Sequence, residues 1–203
     1  MAQLHPHQAQ LLDQIDRAIG SGRRHLMAQL PTGGGKTKVA ATKTIQMLEE
    51  GKRLLFIAPA LELIDQTVER FYAEGIRDIG VIQADHELTN WARPVQIASV
   101  QTLTRRNLPP ADLVFIDEAH RWFEAYGKCL EGPWAHIPVI GLSATPWTRG
   151  LGKHFDQLII GATTGDLINS GYLSRFRVFA PSSPDLTNVR TVAGDSARMI
   201  CPR

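Results

Sequence analysis

Short runs of almost unbroken apolar residues recur along this chain, and a stretch with helical periodicity follows most of them. R-L-L-F-I-A (53–58) and D-L-V-F-I (112–116) are the plainest. A strand that is apolar on both sides must be covered on both sides. Similar runs occupy 25–30, 79–82, 95–98 and 139–143. The pattern over 7–19 places Leu11, Leu12, Ile15, Ala18 and Ile19 on one helical face, with Ser21 and Gly22 ending it. Residues 36–49 predict a second helix, followed by Gly51 in the place of a C-terminal cap. Residues 61–73 predict a third, through Leu61, Ile64, Val68 and Phe71, and a short one lies near 121–130. Strands alternating with helices predict an α/β fold with a central, mostly parallel sheet and helices on both faces. The run 139–143 is the last clear core strand. Beyond it, T-R-G-L-G-K-H-F (148–155) reads as loop, 164–169 as a short helix closed by Gly171, 176–179 as a strand and P-S-S-P-D (181–185) as a linker.

Composition narrows the class. The chain has 203 residues, 43% hydrophobic and 21% charged, which fits one domain with a full core, or one domain and the start of another. A net charge of +2 is too small to argue for a polyanionic partner by itself. The charge is uneven: residues 1–53 carry eight Lys/Arg against four Asp/Glu, and 54–146 carry seven against twelve. Cys129 and Cys201 stand far apart with no C-x-x-C, and no His pair has zinc-protease spacing, so neither a disulfide framework nor a zinc site is expected. The N-terminus lacks the apolar core of a signal peptide, and no run approaches the ~18 apolar residues of a membrane span. These features predict a cytoplasmic, reduced protein with no membrane partner.

Two motifs carry chemistry. L-P-T-G-G-G-K-T (30–37) lies between a predicted strand and a predicted helix. A glycine turn there aims backbone N–H groups and the positive end of a helix at an anion. Gly33, Gly34 and Gly35 allow the tight turn, with Pro31 and Thr32 leading into it. Lys36 reaches the β- and γ-phosphates of a nucleotide, and the Thr37 hydroxyl can ligate Mg²⁺. The general pattern opens on a glycine where this chain has Leu30. L-V-F-I-D-E-A-H (113–120) is a buried strand ending in Asp117 and Glu118. Adjacent carboxylates there point in different directions. Asp117 suits the metal, and Glu118 suits orienting and deprotonating an attacking water. The same pair would also favour the positive end of a following helix. In a parallel sheet both motifs reach one edge.

L-P-T-G-G-G-K-T, D-E-A-H and L-S-A-T-P, in that order, resemble the signature of superfamily two helicases and translocases, in particular the DEAD/DEAH-box-like group containing the motors of type III restriction enzymes and many phage helicases. P-T-G-x-G-K-T is that superfamily's form of the loop. The resemblance covers about residues 4–185. It implies a three-layer RecA-like P-loop NTPase domain over 1–180, with 181–203 a linker or the truncated start of a second domain. It implies ATP and Mg²⁺ as cofactors and hydrolysis coupled to nucleic acid, DNA before RNA. Gln8, in L-H-P-H-Q (4–8), sits where the group recognises adenine, with His5 and His7 where arginine and tyrosine are usual. His120 and the run Ser143, Ala144 and Thr145 correspond to elements coupling nucleotide state to nucleic-acid grip. Pro59 and Ala60, with Ser99, Gln101 and Thr102, correspond to loops facing nucleic acid, although Ser99 and Thr102 also suit an ordinary strand-to-helix cap. Arg105 and Arg106, just beyond, are solvated charges or phosphate contacts. The resemblance also implies a second RecA-like domain, in cis or in trans, carrying an arginine finger worth ~10³–10⁵ in turnover. Arg149, Arg175 and Arg177 lie in the wrong context for it. The expectation is a weakly active half-motor, with a non-hydrolysing module or an inactive fragment as the alternative.

Overall fold

The computed structural model describes residues 3–83, 86–103 and 105–177. Seven strands form one sheet in the order β3-β4-β2-β5-β6-β1-β7, and every pairing is parallel. In chain order they are β1 (His25–Gln29), β2 (Leu54–Ala58), β3 (Ile79–Ile82), β4 (Val95–Ser99), β5 (Leu113–Ile116), β6 (Val139–Ser143) and β7 (Gln157–Ile160). The helices are α1 (Pro6–Gly20), α2 (Lys36–Glu49), α3 (Ile64–Ala73), α4 (Val100–Leu103), α5 (Glu124–Glu131) and α6 (Thr164–Asn169). A 3-10 turn, Leu61–Leu63, leads into α3, so Leu61 stays exposed while Ile64, Val68 and Phe71 are buried.

The strands show why their apolar runs are unbroken. Leu54, Phe56 and Ala58 of β2 belong to one hydrophobic cluster, and Leu55 and Ile57 to another. The same division separates Leu113 and Phe115 from Val114 and Ile116 in β5. Successive side chains point to opposite faces, so each strand feeds both cores. Helices α1, α2 and α3 cover the first face through Leu11, Ile15, Val39, Val68 and Phe71. Tyr126 and Leu130 of α5, with Trp134, cover the second. Burying one such large side chain contributes about 1.5–3 kcal/mol. Lys43 of α2 holds Asp16 of α1 at 2.6 Å. Gly51, at φ 72°, closes α2 with its N–H on Leu48 O at 3.0 Å, while Lys52 N–H reaches Met47 O at 2.9 Å.

One strand is absent from the sequence reading. β7 pairs with β1 at the sheet edge, and of its four residues only Ile159 is buried. Leu158 and Ile160 face outward, so the segment lacks the two-sided burial that marks the other strands. Asp156 holds it in place. Its Oδ2 accepts the N–H groups of Arg24 and His25, each at 2.9 Å, and its own N–H reaches His25 O at 2.7 Å. Asp112 makes the same latch ahead of β5, accepting Arg53 N–H at 2.7 Å. The N–H of His25, and then that of Arg24, hold the Asp156 carboxyl below the usual carboxylate range. A depressed folded-state pKa adds stability above the unfolded value of about 3.9, which is lost as pH falls through the folded one. Asp156→Asn is therefore expected to destabilise the chain by about 1 kcal/mol at neutral pH. The gap to the wild type closes in acid, as urea midpoints at the two pH values will show.

The chain divides into two units, residues 1–173 and 174–203. Within the second unit, residues 174–177 carry no helix or strand. Positions 178 and 179 of the expected strand, the linker at 181–185, the remainder to 203 and Cys201 lie outside the described residues. Among the described residues no helix is long and apolar enough to cross a membrane.

Candidate functional site

The carboxyl ends of β1 and β5 open onto one cleft of about 410 Å³, lined by Pro31, Thr32, Gly33, Gly35, Lys36, Thr37, Asp117 and Glu118 together with Leu63, Gln66, Thr67 and Arg70 from the α3 side. The glycine turn leads straight into α2, which starts at Lys36 on a left-handed Gly35 cap at φ 93°. No acidic residue occupies the first turn of α2, so the positive end of its dipole is left for the cleft. A Cβ at Gly35 would lie 2.2 Å from Gln8 Nε2, so α1 seats directly on the loop.

Gln8 is buried, with Nε2 donating to Gly34 O and Oε1 accepting His5 N–H, both at 3.0 Å. His7 Nε2 also lies 3.0 Å from Gly34 O. His5 and His7 stack on each other, and Tyr172 packs against both with ring centroids 4.6 and 4.9 Å away. Tyr172, Arg70 and Gln66 belong to this region and were not singled out from sequence. A polar residue opposite a buried helical stripe looks the same whether it faces bulk water or a cleft.

The D-E-A-H turn is anchored on both sides. Asp117 N–H reaches Ile57 O on β2, and Ala119 N–H reaches Leu142 O on β6, each at 2.9 Å. A Cβ at Gly141 would come within 2.9 Å of Ala119 Cβ, so the close seat of this turn on β6 requires glycine there. Between the anchors Glu118 adopts φ 47°, the one positive φ of a non-glycine residue among those described. A left-handed conformation costs an L-residue roughly 1–2 kcal/mol. Strain of this kind collects where a side chain must be aimed.

The aim is toward the loop. Lys36 Nζ lies 3.6 Å from Glu118 Oε1 and 3.4 Å from Leu30 O. On the other side His120 Nδ1 is 3.2 Å from Glu118 Oε2 and 3.0 Å from Ser143 Oγ. Ser143 Oγ also accepts Thr145 N–H at 3.0 Å, and Ala144 O accepts Gln29 Nε2 at 3.3 Å. Residues from three separated stretches thus form one continuous polar chain from Lys36 to Thr145.

Burial, and then the neighbouring Glu118 charge, push the Asp117 carboxyl up, against the opposing pull of the Glu118 N–H, Lys36 and Arg70. A carboxylate short of positive charge beside Thr37 suits a divalent cation. Among the described residues no group of three or more His, Cys, Asp or Glu could hold a metal by itself. A cation here would complete its shell from phosphate and water, the habit of Mg²⁺.

The segments matched to nucleic-acid contact sit elsewhere along the same edge. Pro59 and Ala60 follow β2, and Pro59 is buried. Ser99 is fully buried, with Oγ 3.1 Å from Thr102 Oγ1 and 3.3 Å from Thr102 N. The Ser99 hydroxyl caps α4 by accepting Thr102 N–H, and the two hydroxyls face each other, while Gln101 is exposed.

Comparison with known proteins agrees with this architecture. Residues 1–148 match the family described as type III restriction enzyme, res subunit. A 51.5 kDa protein of Lactococcus phage (isolate 7-9) is 30% identical over 172 residues, 83% of this chain and 35% of that protein. The ATP-dependent DNA helicase RecG of Acidithiobacillus ferridurans is 30% identical over 146 residues, 64% of this chain and 21% of its own length. The chain thus spans about a third or less of these relatives. The fold superposes on a nuclease-deletion mutant of the Type ISP restriction-modification enzyme LlaGI, solved with a DNA substrate mimic. That match has a TM-score of 0.67 at 15% identity and covers 84% of this chain and 21% of that one. The chain belongs to the family of the type III restriction enzyme res subunit and is helicase-like.

Proposed function

We propose that this chain binds and hydrolyses Mg–ATP as the first motor domain of a DNA-directed helicase or translocase. The convergence of Lys36, Glu118, His120 and Ser143 into one hydrogen-bonding chain carries the reading. A triphosphate entering the glycine turn meets the loop N–H groups and the N-terminus of α2. It also competes with Glu118 for the Lys36 ammonium, and when Lys36 turns to phosphate the Glu118 carboxylate is released to take a proton from water. The water oxygen then bonds to the γ-phosphorus, the bond from the γ-phosphorus to the β–γ bridging oxygen breaks, and ADP and phosphate result. Thr37 and Asp117 would hold Mg²⁺, which when bound neutralises charge on the β- and γ-oxygens. Gln8 has a second amide hydrogen besides the one on Gly34, and that one reads the base edge. Arg70 adds positive charge at the rim.

DNA is the preferred partner because RecG is described as a DNA helicase and the LlaGI structure contains a DNA mimic. Gln101 and Ala60, with the backbone at Pro59 and the loop held by Ser99 and Thr102, are proposed for contact along this edge. A second RecA-like domain, in cis or in trans, supplies the arginine that full turnover needs.

The test is nucleotide affinity, followed by phosphate release with and without DNA. Lys36→Ala should weaken ATP binding roughly 10- to 150-fold, as expected for a lost charge-assisted hydrogen bond. Unchanged affinity would sink the reading. Intact ATP binding with no phosphate release under any nucleic acid would favour a non-hydrolysing module.

A further inference from the structure

A groove of about 800 Å³ lies away from the cleft and is lined by Arg53, Trp91, Arg105, Arg106, Pro109 and Pro110 among others. Arg53, Trp91 and Pro110 lie just ahead of β2, β4 and β5, at the amino-terminal edge of the sheet. The cleft occupies the carboxyl-terminal edge, and a five-residue strand separates the two by roughly 17 Å. We propose that this groove is a second contact for single-stranded nucleic acid, one that does not depend on the nucleotide in the cleft.

Its chemistry is one-sided. Among the described residues no carboxylate lines it. The nearby Asp112 places Oδ2 on the Arg53 N–H. Arg53 gives one terminal nitrogen to Trp91 O at 3.2 Å, and its Nε is shielded from solvent with no hydrogen-bond partner among the described residues. Among the described residues no salt bridge engages Arg53, Arg105 or Arg106, whereas neighbouring Arg93 pairs with Asp78. Guanidinium groups bind phosphate oxygens in pairs.

Trp91 selects among anionic polymers. The residue is 38% exposed beside the arginines, and its indole is a ring on which an unstacked base can lie. An acidic peptide would use the arginines and leave the indole idle. A duplex keeps its bases stacked and would do the same. Arginine with exposed tryptophan therefore fits a single strand, its phosphates on Arg105, Arg106 and Arg53 and a base on Trp91.

The inference takes only its class of polymer from the proposed function, and it is tested without nucleotide. Anisotropy of a labelled oligothymidylate is followed against salt with the full chain. Arg105→Ala with Arg106→Ala should flatten the slope of log K against log salt by about 1.4, from 0.7 per phosphate. Trp91→Leu should weaken binding ~5- to 150-fold, while Trp91→Phe retains most of it. Lys36→Ala, which lowers ATP affinity, should bind the oligonucleotide as the wild type does, so failure of the cleft and failure of the groove are read separately. Wild-type affinity and slope in both the arginine and the Trp91→Leu proteins would overturn the proposal. Equal competition by polyglutamate would overturn it too.

Discussion

Replacing Glu118 by glutamine is expected to lower phosphate release about 10²- to 10⁴-fold, the range that a positioned general base contributes. Glutamine keeps the length of the side chain and can still accept hydrogen bonds, but its amide does not take up a proton from water. The change leaves the helix end and loop N–H groups in place, so ATP affinity should hold or rise as Lys36 loses its carboxylate neighbour. Single-turnover phosphate release beside equilibrium nucleotide binding separates the two effects. A rate within threefold of the wild type would remove Glu118 from the chemistry. Glutamine is also the right probe because the backbone there is left-handed. A glycine would relax the strain and alter stability at the same time as function.

The second large effect has opposite signs in two measurements. On the proposed assignment of Asp117 to Mg²⁺, Asp117→Asn should raise the Mg²⁺ concentration that hydrolysis requires ~100-fold, because the variant loses the charged oxygen that would hold the ion. The same change should stabilise the chain at neutral pH. Burial and the Glu118 charge raise the Asp117 pKa in the folded state. The native protein therefore holds that proton to higher pH than the unfolded one does. Stability attributable to the group falls as pH rises from the unfolded to the folded value, and the full penalty remains above both. Asparagine removes the charge and with it the penalty. Thermal midpoints of the two proteins should converge in acid and separate toward neutrality, with the variant higher. Saturating Mg–ATP should raise the wild type and narrow the gap, because a ligand bound only by the native state stabilises it. A variant less stable than the wild type at neutral pH would contradict the assignment of Asp117 as an undercompensated carboxylate.

Six of the seven strands were legible because each is apolar on both faces, and burial in two cores demands that pattern. β7 was not. Only Ile159 of its four residues is inward, and what fixes the strand is Asp156 accepting N–H groups from Arg24 and His25, a contact between distant parts of the chain that no local window contains. The candidate site divides in the same way. Residues 31–37, 117–120 and 143–145 are contiguous motifs, and the parallel sheet brings their strand ends to one edge. Gln66 and Arg70 enter the cleft from a helix face, and Tyr172 packs on His5 and His7 from beyond a helix end, where a polar or ring side chain carries no mark of what it will face. Ser99 and Thr102 were legible either as a cap or as a phosphate contact, and their hydroxyls lie 3.1 Å apart at the start of α4.

One ring nitrogen sets a limit on how the site can behave. His120 Nδ1 lies within reach of both Glu118 and Ser143, and it carries at most one hydrogen. Given to the carboxylate, that hydrogen draws the base away from water; given to the hydroxyl, it reaches the segment running through Thr145. On the coupling role proposed for His120, a hydrogen drawn toward one partner is weakened toward the other, so the imidazole would link the two. Under that proposal a shift of Glu118 is expected to reach Ser143, and a pull on the 143–145 segment to change how tightly Glu118 is held.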